Sequence, residues 1–264
     1  MAAVFPPPSS WWFLPAVLVV LLLFLGVVWM VAVAASRRAG AAWPAYGGGV
    51  GRCGLRLLPF NEGAGDDEDD TEDPLVREAR HRIRNFGRSL SLLRAASDAA
   101  SASVQPIAVG STGGLWACAF NLRFRSSGSR FNAWVSDKTV VGIAGPWRLP
   151  RFVILPRGAG ASFSRAFDAV DYELDDLTES PLPKSDGLAS HYRLLAFDRG
   201  GAFTLPRALL DWLATHSGMT VEADQGCLIV FRGNRPLGPD ALASLLKDAC
   251  DLGQALVPAT EHSA

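Results

Sequence analysis

Residues 11–35 read WWFLPAVLVVLLLFLGVVWMVAVAA, 25 positions without a charged side chain. As a helix rising about 1.5 Å per residue, the stretch is roughly 37 Å long, enough to cross a hydrocarbon layer of about 30 Å with some tilt. Lipid offers the backbone no hydrogen-bond partners, so a spanning segment pairs its own N–H and C=O groups, as a helix does. Trp11, Trp12 and Trp29 lie toward its two ends, where amphipathic rings favour the headgroup level. Pro15 falls in the first turn, where a missing N–H costs little. The expectation is a transmembrane helix over 11–35, preceded by a short tail (1–10), with the lipid bilayer as its partner.

A cleaved signal peptide has a positive start and a short apolar core of about 7–15 residues. Residues 1–10 contain no Lys or Arg, and the apolar run is longer, although Ala32-Val33-Ala34 resembles a cleavage site. Arg37, Arg38, Arg52 and Arg56 all follow the span. Positive charge stays on the cytoplasmic side. The chain is therefore expected to be a single-pass protein of the cell inner membrane or plasma membrane, with its N-terminus outside and its C-terminal domain cytoplasmic.

Residues 36–74 read as a linker. Positions 40–54 are rich in Gly with no apolar period, and seven acidic residues crowd between Asp66 and Asp73. A calcium loop alternates its acids around a central Gly, whereas these are contiguous, so a self-repelling spacer is expected. Asp73-Pro74 then opens a helical pattern, Asp73 as N-cap and Pro74 at the first position. Ile83, Phe86, Leu90 and Leu93 fall on one face of a helix expected over 75–101, and Arg77, Arg80, Arg84 and Arg88 on another. The arginines are the candidate contact for anionic lipid or a protein partner. The chain's net charge is −1 and no aromatic stacking set accompanies the arginines, so no nucleic-acid partner is expected.

From Leu115 the period becomes two. Trp116, Cys118, Phe120, Leu122 and Phe124 alternate with Ala117, Ala119, Asn121, Arg123 and Arg125, the signature of a half-buried strand. Ser126-Ser127-Gly128-Ser129 signals a turn, with strands expected over 130–136, 140–144 and 151–155, the latter two separated by a break at Gly145-Pro146. These four strands form an antiparallel meander. Residues 158–186 look irregular and acidic. Further on, 191–197 (HYRLLAF) reads as a strand, and Thr204 is the expected cap of a helix that Ser217-Gly218 stops. Residues 219–222 and 227–232 read as a hairpin, and Leu242, Leu245, Leu246, Ala249, Leu252 and Leu256 mark a closing amphipathic helix. The fold class expected is α+β: the transmembrane helix, a long amphipathic helix, an antiparallel β-meander and a C-terminal β-α-β-β-α unit. The soluble domain would cover 104–258, with a tail over 259–264.

The pattern over 191–257, HYRLLAF, a helix ending near Ser217-Gly218, MTVEADQGCLIVF and the closing helix, resembles bacterial single-pass membrane-anchored proteins of unknown function with a cytoplasmic α+β domain. The resemblance rests on apolar spacing, so it implies an architecture and carries no activity or site residue.

Local catalytic motifs are missing. Gly110-Ser111-Thr112-Gly113-Gly114 lacks the Lys of a phosphate loop and reads as a turn, and there is no G-x-S-x-G elbow. Cys53, Cys118, Cys227 and Cys250 are scattered, with no C-x-x-C, and read as reduced and mostly buried, Cys53 the most exposed. No cofactor or metal is expected. The first reading is a non-enzymatic interaction or scaffold module on the cytoplasmic face. Two alternatives stand beside it: a membrane-bound hydrolase using His191 with acids of the run Asp168, Asp171, Glu173, Asp175, Asp176 and Glu179, and a sensor of anionic lipid using the four arginines.

Overall fold

The computed structural model describes residues 17–27, 30, 43–59, 73–86, 90, 92, 101–125, 135–157, 177–182, 187–197, 204–233 and 235–257. The chain divides into two compact units, 1–43 and 44–264. In the first, residues 17–27 are helical, and ten large apolar side chains from Val17 to Val27 are each about half or more exposed. Among the described residues no helix is long and apolar enough to cross a membrane.

The second unit is α+β, built on a seven-stranded sheet whose strand pairs are all antiparallel. In chain order the elements are α1 (Ala45–Arg52), β1 (Leu55–Leu57), α2 (Pro74–Phe86), β2 (Ser101–Thr112), β3 (Leu115–Arg125), β4 (Val135–Pro156), β5 (Thr178–Ser180), α3 (Leu188–His191), β6 (Tyr192–Ala196), α4 (Arg207–Thr215), β7 (Met219–Arg232) and α5 (Pro239–Leu256). The sheet order is β1-β2-β3-β4-β6-β5, with β7 paired to β4.

Several expectations change. The linker is structured in part: 45–52 is a helix packed on α5, and 55–57 is an edge strand on β2. Glycine hides the helix from a periodicity search, yet glycine is what the packing needs. A Cβ on Gly49 would lie 2.6 Å from the Cβ of Ala243. The Arg-rich helix starts as expected, with the Leu75 N–H donating to Asp73 Oδ1 at 2.8 Å. It ends at Phe86 rather than near 101, and Ser101 begins β2, a strand absent from the expected meander. The β2–β3 connection is the expected turn. Gly113 and Gly114 take φ of 55° and 80°, the two left-handed positions of a tight hairpin.

The largest correction concerns two expected breaks. Residues 140–144 and 151–155 are one strand, β4, and the expected hairpin over 219–232 is also one strand, β7. The two run antiparallel and bend together, with register shifts between Ala144 and Leu149 and between Leu149 and Phe152. Pro146 and Pro150 fall inside these shifts, where no ladder N–H is demanded, and Pro106 sits at the shift in β2. At the bend a Cβ on Gly226 would lie 2.8 Å from the Gly145 carbonyl oxygen, and Gln225 adopts φ 51°. The turn-like residues were real signals, but of bulges rather than reversals. The helix after 204 begins at Arg207 with Pro206 at its N-cap and no side-chain cap, so Thr204 does not serve as one. The turn Ser126-Ser127-Gly128-Ser129 and most of 158–186 lie outside the described residues.

The expectation that β3 is half buried holds toward its end, where Asn121 is partly exposed and Arg123 exposed, and fails over its first half. Trp116, Cys118, Phe120 and Leu122 face the α2 side, joining Ile83, Phe86, Leu90, Val140, Ile229 and Phe231 in one apolar cluster. Ala117 and Ala119 are fully buried as well, on the opposite face. There α5 lies so close that a Cβ on Gly253 would meet Leu115 and Ile143 at 2.9 and 3.1 Å. Small side chains on that face admit a helix at close range, so an alternation that reads as half-exposed is sandwiched on both sides.

Candidate functional site

Among the described residues a cleft of about 560 Å³ opens between the C-terminal end of α1, the end of β2 and one face of α5. Arg52 and Cys53 form one wall, Thr112 the floor, and Asp240, Ser244, Lys247, Cys250, Asp251 and Gln254 the other wall. The α5 residues recur at three- and four-residue steps, so they share one helix face, beside the apolar stripe that holds α5 to the sheet. The stripe is what the sequence reading caught. The polar face, with its Lys247–Asp251 step, was legible by the same arithmetic but carried no chemical motif.

The cleft is balanced in charge. Lys247 Nζ lies 2.6 Å from Asp251 Oδ2, an exposed pair that adds little stability but fixes where the two charges sit. Its two thiols stay protonated at neutral pH. Burial pushes the Cys250 thiol up to about 11, with the Cys53 and Asp251 charges adding to the shift. Burial also raises Cys53, with Arg52 and Lys247 pulling down and Asp251 pushing up. All four cysteines are free, as expected. Cys118 and Cys250 are buried, and Cys53 and Cys227 are partly buried. Among the described residues no group of three or more His, Cys, Asp or Glu is placed to hold a metal ion.

Beside the cleft, α4 meets α5 through a polar cluster. The His216 ring stacks on Trp212 with centroids 4.4 Å apart, and His216 Nε2 lies 3.7 Å from Asp248 Oδ2. Ser244 Oγ donates to the same oxygen at 3.3 Å, and the Trp212 indole donates to the Asp248 carbonyl at 3.0 Å. Serine, carboxylate and imidazole are thus neighbours, but the carboxylate stands in the middle. An activated serine requires the imidazole between the other two, so the cluster docks two helices and does not prime a nucleophile.

The residues singled out from the sequence are dispersed. Arg77 and Arg84 are exposed on α2, and Arg82 pairs with Glu78 at 2.6 Å. Arg80 is turned inward, 9% exposed, beside Val76, Ala79 and Ile83, so it does not share the exposed arginine face. Its long aliphatic stem suits the edge of an apolar helix face. Arg88 lies outside the described residues, as do Asp168, Asp171, Glu173, Asp175 and Asp176. Glu179, on β5, accepts from Arg157 at 3.0 Å and Arg193 at 3.1 Å, tying β4, β5 and β6 together. His191 is exposed at the end of α3, and its backbone carbonyl accepts from the Arg157 N–H. Glu179 is therefore engaged by two arginines.

No family model, no curated protein and no solved structure matches the chain.

Proposed function

We propose that the chain is a membrane-tethered, non-catalytic interaction module. Residues 11–35 cross the bilayer, the arginines that follow hold the inner side, and the α+β unit meets a cytoplasmic partner through the α1–α5 cleft. One observation carries the reading: the helical run 17–27 leaves ten large apolar side chains exposed. Removing each from water is worth about 1.5–3 kcal/mol, so an aqueous setting for all ten is strongly disfavoured and a lipid setting satisfies them together. The cleft's size lies within the usual range for ligand sites, about 300–1,000 Å³. Its paired cations and acids favour a polar segment of a partner over an apolar small molecule.

Alkaline carbonate extraction of membranes tests the tether. The full chain is expected in the pellet and a version lacking 1–43 in the supernatant. Recovery of the full chain in the supernatant overturns the reading. Labelling of Cys53 by a membrane-impermeant maleimide in intact cells tests orientation, with labelling expected only after permeabilisation.

A second reading, contact with anionic headgroups, is favoured by Arg77 and Arg84, seven residues apart and both exposed on α2. Each basic residue near an anionic surface contributes about 1 kcal/mol. Flotation of residues 44–264 with phosphatidylserine vesicles is expected to weaken with salt, and R77Q/R84Q to weaken it further. Binding indifferent to salt and to both substitutions removes this reading.

A further inference from the structure

We propose that Cys53 and Cys250 are a reversible dithiol–disulfide pair that locks the first helix of the 44–264 unit onto its last. Both thiols line the same cleft, one on each wall. The surrounding backbone sets their relative height. A Cβ on Gly49 of α1 would lie 2.6 Å from the Ala243 Cβ of α5, one on Gly54 would be in ordinary contact with the Ser111 carbonyl at 3.6 Å, and one on Gly113 would meet the Gln254 side-chain amide at 2.5 Å. Ala243 and Gln254 are separated by about 16 Å along α5. Cys250 lies between them on α5, and Cys53 lies between Gly49 and Gly54 on the facing wall. A charge on Cys53 would push the Cys250 thiol up, as the Asp251 charge does. Cys118, fully buried, faces α2 on the other side of the sheet, away from the cleft.

The two thiols divide the labour of thiol–disulfide exchange. Cys53 is partly exposed and Cys250, on the facing wall, is buried, so Cys53 is the attacking and Cys250 the resolving cysteine. The oxidant is a low-molecular-weight disulfide. The Cys53 thiolate attacks one of its sulfurs, the S–S bond breaks, and the departing thiolate takes up the proton that Cys53 lost. The mixed disulfide places an electrophilic sulfur at position 53, across the cleft from Cys250. The Cys250 thiolate then attacks the Cys53 sulfur and expels the second small thiol. Two electrons pass from the protein to the oxidant, giving one protein disulfide and two small thiols. A small dithiol reverses the exchange. The bond closes a loop of nearly two hundred residues between positions 53 and 250, and it fixes α1, the first element after the tether, against α5.

Purified full-length protein in detergent, treated with glutathione disulfide at neutral pH, acid-quenched and alkylated under denaturing conditions, tests the pair by peptide mapping. The expected result is a single intramolecular Cys53–Cys250 link, reversed by dithiothreitol, with an upward shift of the thermal midpoint. C250S is expected to stop at a glutathione adduct on Cys53. A persistent adduct on the wild-type protein, a link through Cys118 or Cys227, a chain-to-chain link, or retention of all four thiols overturns the proposal.

Discussion

At position 138 the β4 ladder carries a lysine between Asp137 and Thr139, and the side chain is 1% exposed. Its ammonium sits 4.9 Å from the centre of the Phe231 ring, a cation–π contact that offsets part of the lost hydration. Burial still pulls its pKa down from 10.5 to about 8. The unfolded chain then binds more protons than the folded one between those values, so the lysine's unfavourable contribution fades as pH rises through that window. K138M is expected to stabilise the protein at pH 7 by roughly 3 kcal/mol, from a shift of about 2.5 units at 1.36 kcal/mol each. The advantage shrinks toward pH 10.5. Chemical denaturation of both proteins at a series of pH values checks this, and the comparison removes the opposing effect of cysteines, which ionise more easily once unfolded. At the next position, Thr139 Oγ1 donates to Asn121 Oδ1 at 2.7 Å and accepts from the Leu237 N–H at 2.8 Å. T139V keeps the shape and orphans that N–H, an expected loss of about 1–3 kcal/mol.

Among the elements, α1 tests whether space or propensity decides. Alanine usually improves a helix by about 1 kcal/mol over glycine. At Gly49 the added Cβ meets Ala243, a side chain too short to swing aside. G49A is therefore expected to destabilise by about 1–3 kcal/mol, and G49A/A243G to recover most of the loss, measured by urea unfolding of residues 44–264. The same contact explains what the sequence concealed. Apolar stripes on α2, α4 and α5 and the alternation along β3 were legible because they record burial by large side chains. Helix α1 and the buried Ala117/Ala119 face were illegible because they record closeness, which small residues provide without a hydrophobic period. Pro146 and Gly226 announced irregularity correctly, but composition does not distinguish a bulge from a reversal. That distinction lies in the partner strand, since β4 and β7 bend at matching positions. The cleft was illegible for a further reason: its walls come from residues 49–53 and 240–254, and no local pattern joins them.

For the whole molecule, the 44–264 unit contains its own apolar core and its own closed set of strand pairings. A chain lacking 1–43 is expected to unfold in one cooperative transition, with circular dichroism and tryptophan fluorescence giving the same midpoint. Its first helix packs on its last, and β4 finds its longest partner in β7, many residues downstream. During synthesis the N-terminal apolar run leaves the ribosome long before position 256. Translation adds about 5–20 residues per second, so the nascent domain waits several seconds or more for the helix that completes it. Through that interval the half-made sheet must be shielded from other chains, and under the proposed tether delivery to the bilayer would precede maturation of the domain.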